Sequence, residues 1–114
     1  MAELKGKVLL LNSEGCGTTD SDLGFQILVA LFETLPQRED RPAAIIFWNT
    51  AVNLLVNDSP LLPHLRSLEA KGVELLAGKL CVSELELTNK IAVGRIVSLG
   101  DILDIILYND VISL

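Results

Sequence analysis

Gly72-Val73-Glu74-Leu75-Leu76-Ala77-Gly78-Lys79-Leu80-Cys81 reads as a short buried strand over residues 73–77 that runs into a glycine-containing loop and presents one thiol. Cysteine is the most reactive side chain near neutral pH, because a fraction ionises and only the thiolate attacks or transfers sulfur. The plainer alternative is a cysteine packed as a small hydrophobe. Which of the two applies depends on where the strand delivers Cys81, and so on the elements around it.

Upstream, Lys7-Val8-Leu9-Leu10-Leu11-Asn12 is a continuous apolar run that fits a strand covered on both faces, as in parallel sheets. It ends in the small, polar loop Asn12-Ser13-Glu14-Gly15-Cys16-Gly17-Thr18-Thr19. Asp20 or Ser21 then caps a helix with an acidic first turn, which suits the positive helix N-terminus. Leu23, Ile27, Leu31 and Leu35 form its stripe, widened by Leu28 and Phe32. Gly24 lets this helix approach the strand closely.

Pro36-Gln37-Arg38-Glu39-Asp40-Arg41-Pro42 is a solvated connector to a second buried strand at residues 43–48, which stops at Asn49-Thr50. A short helix over 51–56 and the turn Asn57-Asp58-Ser59-Pro60 follow. Leu61, Leu65 and Leu68 make the inner stripe of the next helix, whose regular part is expected to begin at Pro63. Lys71-Gly72 closes it with a left-handed glycine. Beyond Cys81, residues 82–90 read as a short surface helix or turn and 91–96 as a fourth strand. Ser98 caps a helix over 99–107 with Ile102, Ile105 and Ile106 inward, and 111–114 is a terminal strand. The order β-α-β-α-α-β-(α)-β-α-β argues for an α/β fold, a mainly parallel sheet with helices on both faces. With no repeat or composition break, residues 1–114 are expected to form a single domain.

Composition narrows the function classes. Half the residues are hydrophobic but only 4% aromatic, so the apolar mass is Leu, Ile, Val and Ala. Mean hydropathy is +0.47, yet the apolar runs fall far short of the roughly 20 residues of a membrane span. Net charge is −6 without a basic cluster, which argues against nucleic-acid binding. Two cysteines in a chain whose start lacks a secretory signal pattern imply a reducing cytoplasm. Two cysteines and one histidine, His64, at no close ligand spacing leave a metal site unsupported, and no cofactor is implied.

In an open parallel sheet, chemistry gathers beyond the carboxyl ends of the strands. Three polar clusters lie there: Asn12 to Asp20, Asn49-Thr50, and Gly78 to Cys81. Candidate binding residues are therefore Asn12, Gly15, Cys16, Gly17, Asp20, Asn49, Gly78 and Lys79, with Cys81 as the candidate catalytic thiol. Lys79 is the nearest cation in sequence to Cys81. Gly15-Cys16-Gly17 leading into a helix resembles an anion cradle, but it lacks the third glycine of a dinucleotide fingerprint and the lysine of a P-loop. Trp48 reads as core or a subunit contact. Whether Cys16 faces Cys81 is open, since sequence does not give the short separation a disulfide needs.

The segments Leu11-Asn12-Ser13-Glu14-Gly15, Asp20-Ser21-Asp22-Leu23-Gly24, Phe47-Trp48-Asn49-Thr50-Ala51-Val52, Asp58-Ser59-Pro60, Lys71-Gly72-Val73-Glu74-Leu75-Leu76 and Val93-Gly94, in this order and spacing, resemble the DsrE/DsrF-like family. The closest resemblance is to the DsrE-like domain of YedF-type proteins, named for a link to selenium metabolism. That resemblance implies a three-layer α/β/α sandwich with a five-stranded, mainly parallel sheet, and a homo-oligomer (trimer, hexamer or dimer). It also implies a sulfur or selenium relay in which a cysteine holds a persulfide, a sulfurtransferase-like carrier rather than a turnover enzyme. YedF-type proteins carry Cys-Gly-Thr-Cys at the end of strand three. In register, the second Cys falls on Cys81, the first on Gly78, and Lys79-Leu80 replace Gly-Thr. A single-thiol carrier is thus expected, with a TusA-like sulfur carrier as a partner in trans. The alternatives are a non-catalytic oligomeric scaffold that kept the fold, and a binder of an anionic small molecule at the strand-end loops.

Overall fold

The computed structural model describes residues 6–17 and 20–114; Thr18 and Thr19 of the first polar loop lie outside the described residues. Five strands, β1 (Val8–Leu11), β2 (Ala44–Phe47), β3 (Glu74–Gly78), β4 (Arg95–Val97) and β5 (Val111–Ser113), form one sheet in the order β4-β3-β2-β1-β5. Every pairing is parallel, with Val8 opposite Ala44 and Val111, Ala44 opposite Glu74, and Leu76 opposite Arg95. The helices are α1 (Ser21–Thr34), α2 (Leu62–Ala70), α3 (Lys79–Glu84) and α4 (Leu99–Tyr108), with a 3-10 helix at Asn49–Leu55.

Side-chain alternation along the strands divides the core into two layers. Leu11, Ile45, Phe47, Leu75 and Ala77 point to one face, where Leu28 and Phe32 of α1, the 3-10 helix, Leu65 and Leu68 of α2, and Val82 of α3 cover them. Val8, Ala44, Ile46, Leu76 and Val97 point to the other, beneath Ile102 and Ile105 of α4. The two clusters make a three-layer α/β/α sandwich. Right-handed crossovers explain the asymmetry. The chain steps in one direction from β1 to β4, which places those connections on one face. It then reverses across the whole sheet to β5, which sends α4 to the other.

Several local expectations hold. Asp20 caps α1, its side chain accepting from the Leu23 N–H at 3.0 Å, and Ser98 caps α4 through the Asp101 N–H at 3.2 Å. Pro63 lies in the first turn of α2, and Gly72 follows it at φ +91°.

Others are corrected. The buried face of α1 is Gly24, Leu28 and Phe32, one step from the expected stripe, and Leu23 and Ile27 are exposed. Gly24 sets that rotation. A Cβ on it would lie 2.6 Å from the Cys16 carbonyl, so its close neighbour is the β1–α1 loop rather than the strand. β4 begins at Arg95 instead of residue 91. Ile91 bridges antiparallel to Val56, and Ala92 donates to the Leu55 carbonyl at 2.8 Å. Gly94, at φ +78° and tight against Leu75, then redirects the chain into the sheet. Finally, Cys81 is not in a loop. Helix α3 starts directly after β3, because Val82 is drawn into the core and the Cys81 carbonyl accepts from the Leu85 N–H at 3.0 Å.

Candidate functional site

The sheet topology singles out one strand end. The connection after β3 goes to the face of α3, while the connection after β4 goes to the face of α4. Adjacent parallel strands whose connections part to opposite faces leave a crevice at their carboxyl ends, the usual ligand position in such sheets. Gly78 and Val97 are paired at that point, and Cys81 is three residues beyond Gly78.

The Cys81 side chain is half-buried. Its Sγ accepts a hydrogen bond from the backbone N–H of Asn49 at 3.0 Å. Asn49 itself adopts φ +53°, a left-handed conformation that asparagine tolerates better than most residues. Its N–H, at the end of β2, meets the thiol on the first turn of α3. Gly78 completes the seat: a Cβ there would lie 3.5 Å from Sγ, 3.4 Å from the Trp48 Cβ and 3.7 Å from Ile102 Cδ1.

Two cavities meet at the sulfur. An open groove of about 400 Å³ is lined by Trp48, Asn49, Leu80, Cys81, Glu84 and Leu85. A small recess of about 90 Å³ lies between α3 and α4, lined by Trp48, Gly78, Leu80, Cys81, Leu99 and Ile102 together with Lys79. Trp48, Leu80 and Cys81 border both.

Of the residues singled out from sequence, Asn49, Gly78, Lys79 and Cys81 are therefore brought together. Lys79 is exposed at the start of α3, and among the described residues the group that reaches the sulfur is the Asn49 N–H. Asn12, Gly15, Cys16, Gly17 and Asp20 belong to the β1–α1 loop, whose described residues line neither cavity. Three of its polar groups have local partners. The Cys16 N–H donates to the Gly24 carbonyl at 3.0 Å, Ser13 Oγ to the Gly15 carbonyl at 2.8 Å, and Asp20 holds the helix start. Asp20 and Asp22 place carboxylates where an anion would have to sit. Cys16 is half-buried against the core, burial pushes its thiol pKa up, and both cysteines are free. His64 lies on α2, away from both cavities.

Sequence reasoning missed the apolar lining, namely Trp48, Leu80, Leu85, Leu99 and Ile102. The available signal was adjacency, since Trp48 precedes Asn49 at a strand end and Leu80 precedes the thiol. A larger open groove, about 690 Å³, lies at the amino end of β3, the opposite edge from the crevice. Three of its charged side chains are engaged structurally, Arg95 with Glu74 at 2.7 Å and Glu69 with the Gly94 N–H at 2.7 Å. Among the described residues no group of His, Cys, Asp and Glu is arranged to hold a metal ion. Nor is any described helix long and apolar enough to cross a membrane.

No family model and no curated protein matches the chain. Solved structures similar to it include the following three. BT1422 from Bacteroides thetaiotaomicron, a conserved protein of unknown function, is 19% identical with a TM-score of 0.68, covering 95% of this chain and 94% of its own. MTH1491 from Methanobacterium thermoautotrophicum, also of unknown function, is 16% identical with a TM-score of 0.69, covering 96% and 100%. The ychN protein from E. coli is 16% identical with a TM-score of 0.67, covering 96% and 99%. The chain shares its fold with these proteins over nearly its whole length.

Proposed function

We propose that this protein is a sulfur or selenium relay protein that carries a persulfide on Cys81. The observation that carries the reading is the setting of Sγ: half-exposed at the β3–β4 crevice, open to a groove, and held by the Asn49 N–H. A cysteine used only as packing would be enclosed by aliphatic side chains, and this one is not. The thiolate takes a sulfur atom from a donor and yields it to an acceptor thiol, so the protein acts as a carrier rather than a turnover enzyme. A reducing cytoplasm suits a thiol that must be regenerated, and a TusA-like carrier in trans is the proposed partner. Incubation with a sulfur donor followed by intact-mass measurement is expected to show one added sulfur on the wild type and none on Cys81→Ser. Equal loading of the two, or none on the wild type, overturns the reading.

A second reading, an oligomeric scaffold without chemistry, draws support from α4, where Leu99, Leu103 and Leu107 recur at four-residue spacing and are exposed. Light scattering tests the assembly, and Cys81→Ser distinguishes the readings, because a scaffold keeps its binding without the thiol.

A further inference from the structure

We propose that the groove at Cys81 takes an organosulfur compound with an apolar, uncharged body, and that it disfavours anionic sulfur donors. This rests on the reading of Cys81 as the reactive thiol and specifies what that thiol meets.

Trp48, Leu80 and Leu85 supply the walls of the 400 Å³ groove, and among its described lining residues the one ionisable group besides the thiol is the carboxylate of Glu84. Leu80 is 66% exposed and Leu85 41%, so the mouth presents apolar surface that an apolar occupant would remove from water. Trp48 brings an aromatic side chain to the lining, a suitable neighbour for an aromatic or branched-alkyl group. The described lining of the groove includes no cationic side chain. The Asn49 N–H is already directed at Sγ, and Lys79 lines the recess rather than the groove. A bare thiosulfate-like dianion would enter past Glu84 and desolvate against leucine and tryptophan, with no cation in the groove's described lining.

The step balances without an external oxidant. The Cys81 thiolate attacks the outer sulfur of an organic persulfide R–S–SH, a new S–S bond forms at Sγ, and the donor S–S bond breaks. Its electron pair leaves as R–S⁻, which takes up a proton from solvent, and Cys81 is left as the persulfide.

Thiol labelling tests the ligand class. In a Cys16→Ser background, Cys81 is reacted with a neutral dipyridyl disulfide and with the dianionic bis(nitrobenzoate) disulfide. Each rate is divided by that of the same reagent with a small neutral thiol, which cancels intrinsic reactivity. A like charge about 4 Å away in water changes a rate by about fivefold, so the normalised neutral rate is expected to exceed the anionic one by about fivefold or more. Glu84→Gln should raise the anionic rate relative to the neutral one by a similar factor, and Leu80→Ser should slow the neutral reagent. Both substitutions are at exposed positions, so folding is preserved. A normalised ratio near one, a preference for the anion, or no response to Glu84→Gln overturns the inference. Labelling requires no sulfur relay, so failure of persulfide loading with the ratio intact would reject only the relay. Loading by thiosulfate as fast as by an organic persulfide would reject only the ligand class.

Discussion

Replacing Gly78 by alanine is expected to leave the protein at least as stable while slowing the chemistry of Cys81. Gly78 has φ −65° and ψ 122°, a conformation open to alanine without strain. The new Cβ would meet Trp48 Cβ at 3.4 Å, Cys81 Sγ at 3.5 Å and Ile102 Cδ1 at 3.7 Å, all ordinary van der Waals distances. Gly→Ala at a compatible position raises stability by about 0.4–1 kcal/mol, because the unfolded chain loses freedom. The functional effect has the opposite sign. The recess bordered by Gly78 and Sγ measures about 90 Å³. That is about three waters at ~30 Å³ each. A methyl in it touches the resting sulfur and removes the space into which a second sulfur atom would extend from Sγ on that side. A tenfold slower loading, about 1.4 kcal/mol in barrier height, is the expected size. Urea unfolding gives the stability change and time-resolved intact mass the loading rate. A loss of more than ~1 kcal/mol would mean that the seat is tighter than described. Wild-type stability with wild-type loading would mean that the recess takes no part.

Two further outcomes test the fold and the second cysteine. Gly94→Ala should cost well over the ~1–2 kcal/mol of a left-handed alanine, because its Cβ would also lie 2.6 Å from the Leu75 carbonyl oxygen and 3.0 Å from Leu75 Cβ. Gly72→Ala, at φ +91° with nothing within 4 Å, should show the conformational cost alone, and equal losses from the two in urea unfolding would refute the tight β3–β4 approach. Burial raises the Cys16 thiol pKa above its unfolded value. Its contribution to stability is therefore fully present below the unfolded thiol pKa of ~8.5 and is lost as pH rises from there through the folded value. Cys16→Ser should flatten the alkaline fall of the urea midpoint, and an unchanged slope would refute the burial of this thiol.

The site was legible in part, and the division follows chemistry. Cys81, Asn49 and Gly78 could be chosen in advance because polar and glycine residues at the carboxyl ends of apolar runs are unusual enough to mark a strand end. Leu80, Leu85, Leu99 and Ile102 could not, because a leucine lining a groove and a leucine in the core are the same residue to any local rule. The β1–α1 loop shows the converse. Its glycines and Cys16 resemble a ligand loop in sequence, yet Gly15 and Gly24 are needed for the close packing of that loop on α1.

By itself the sequence determined the element order, the caps at Asp20 and Ser98, and the parallel character of the sheet. All of these follow from short-range patterning, in which apolar runs of strand length alternate with helical stripes and capping residues. The tertiary structure alone decided which strand ends meet. The crevice lies between β3 and β4 because the chain reverses direction there and right-handed crossovers then send α3 and α4 to opposite faces. Long-range packing likewise rotated α1 about Gly24 and moved the start of β4 to Arg95. The hydrogen bond from Asn49 to the sulfur of Cys81 spans 32 residues, a separation that no local pattern specifies. It exists because β2 and β3 are neighbours in the sheet, and adjacency of strands is a property of the whole fold.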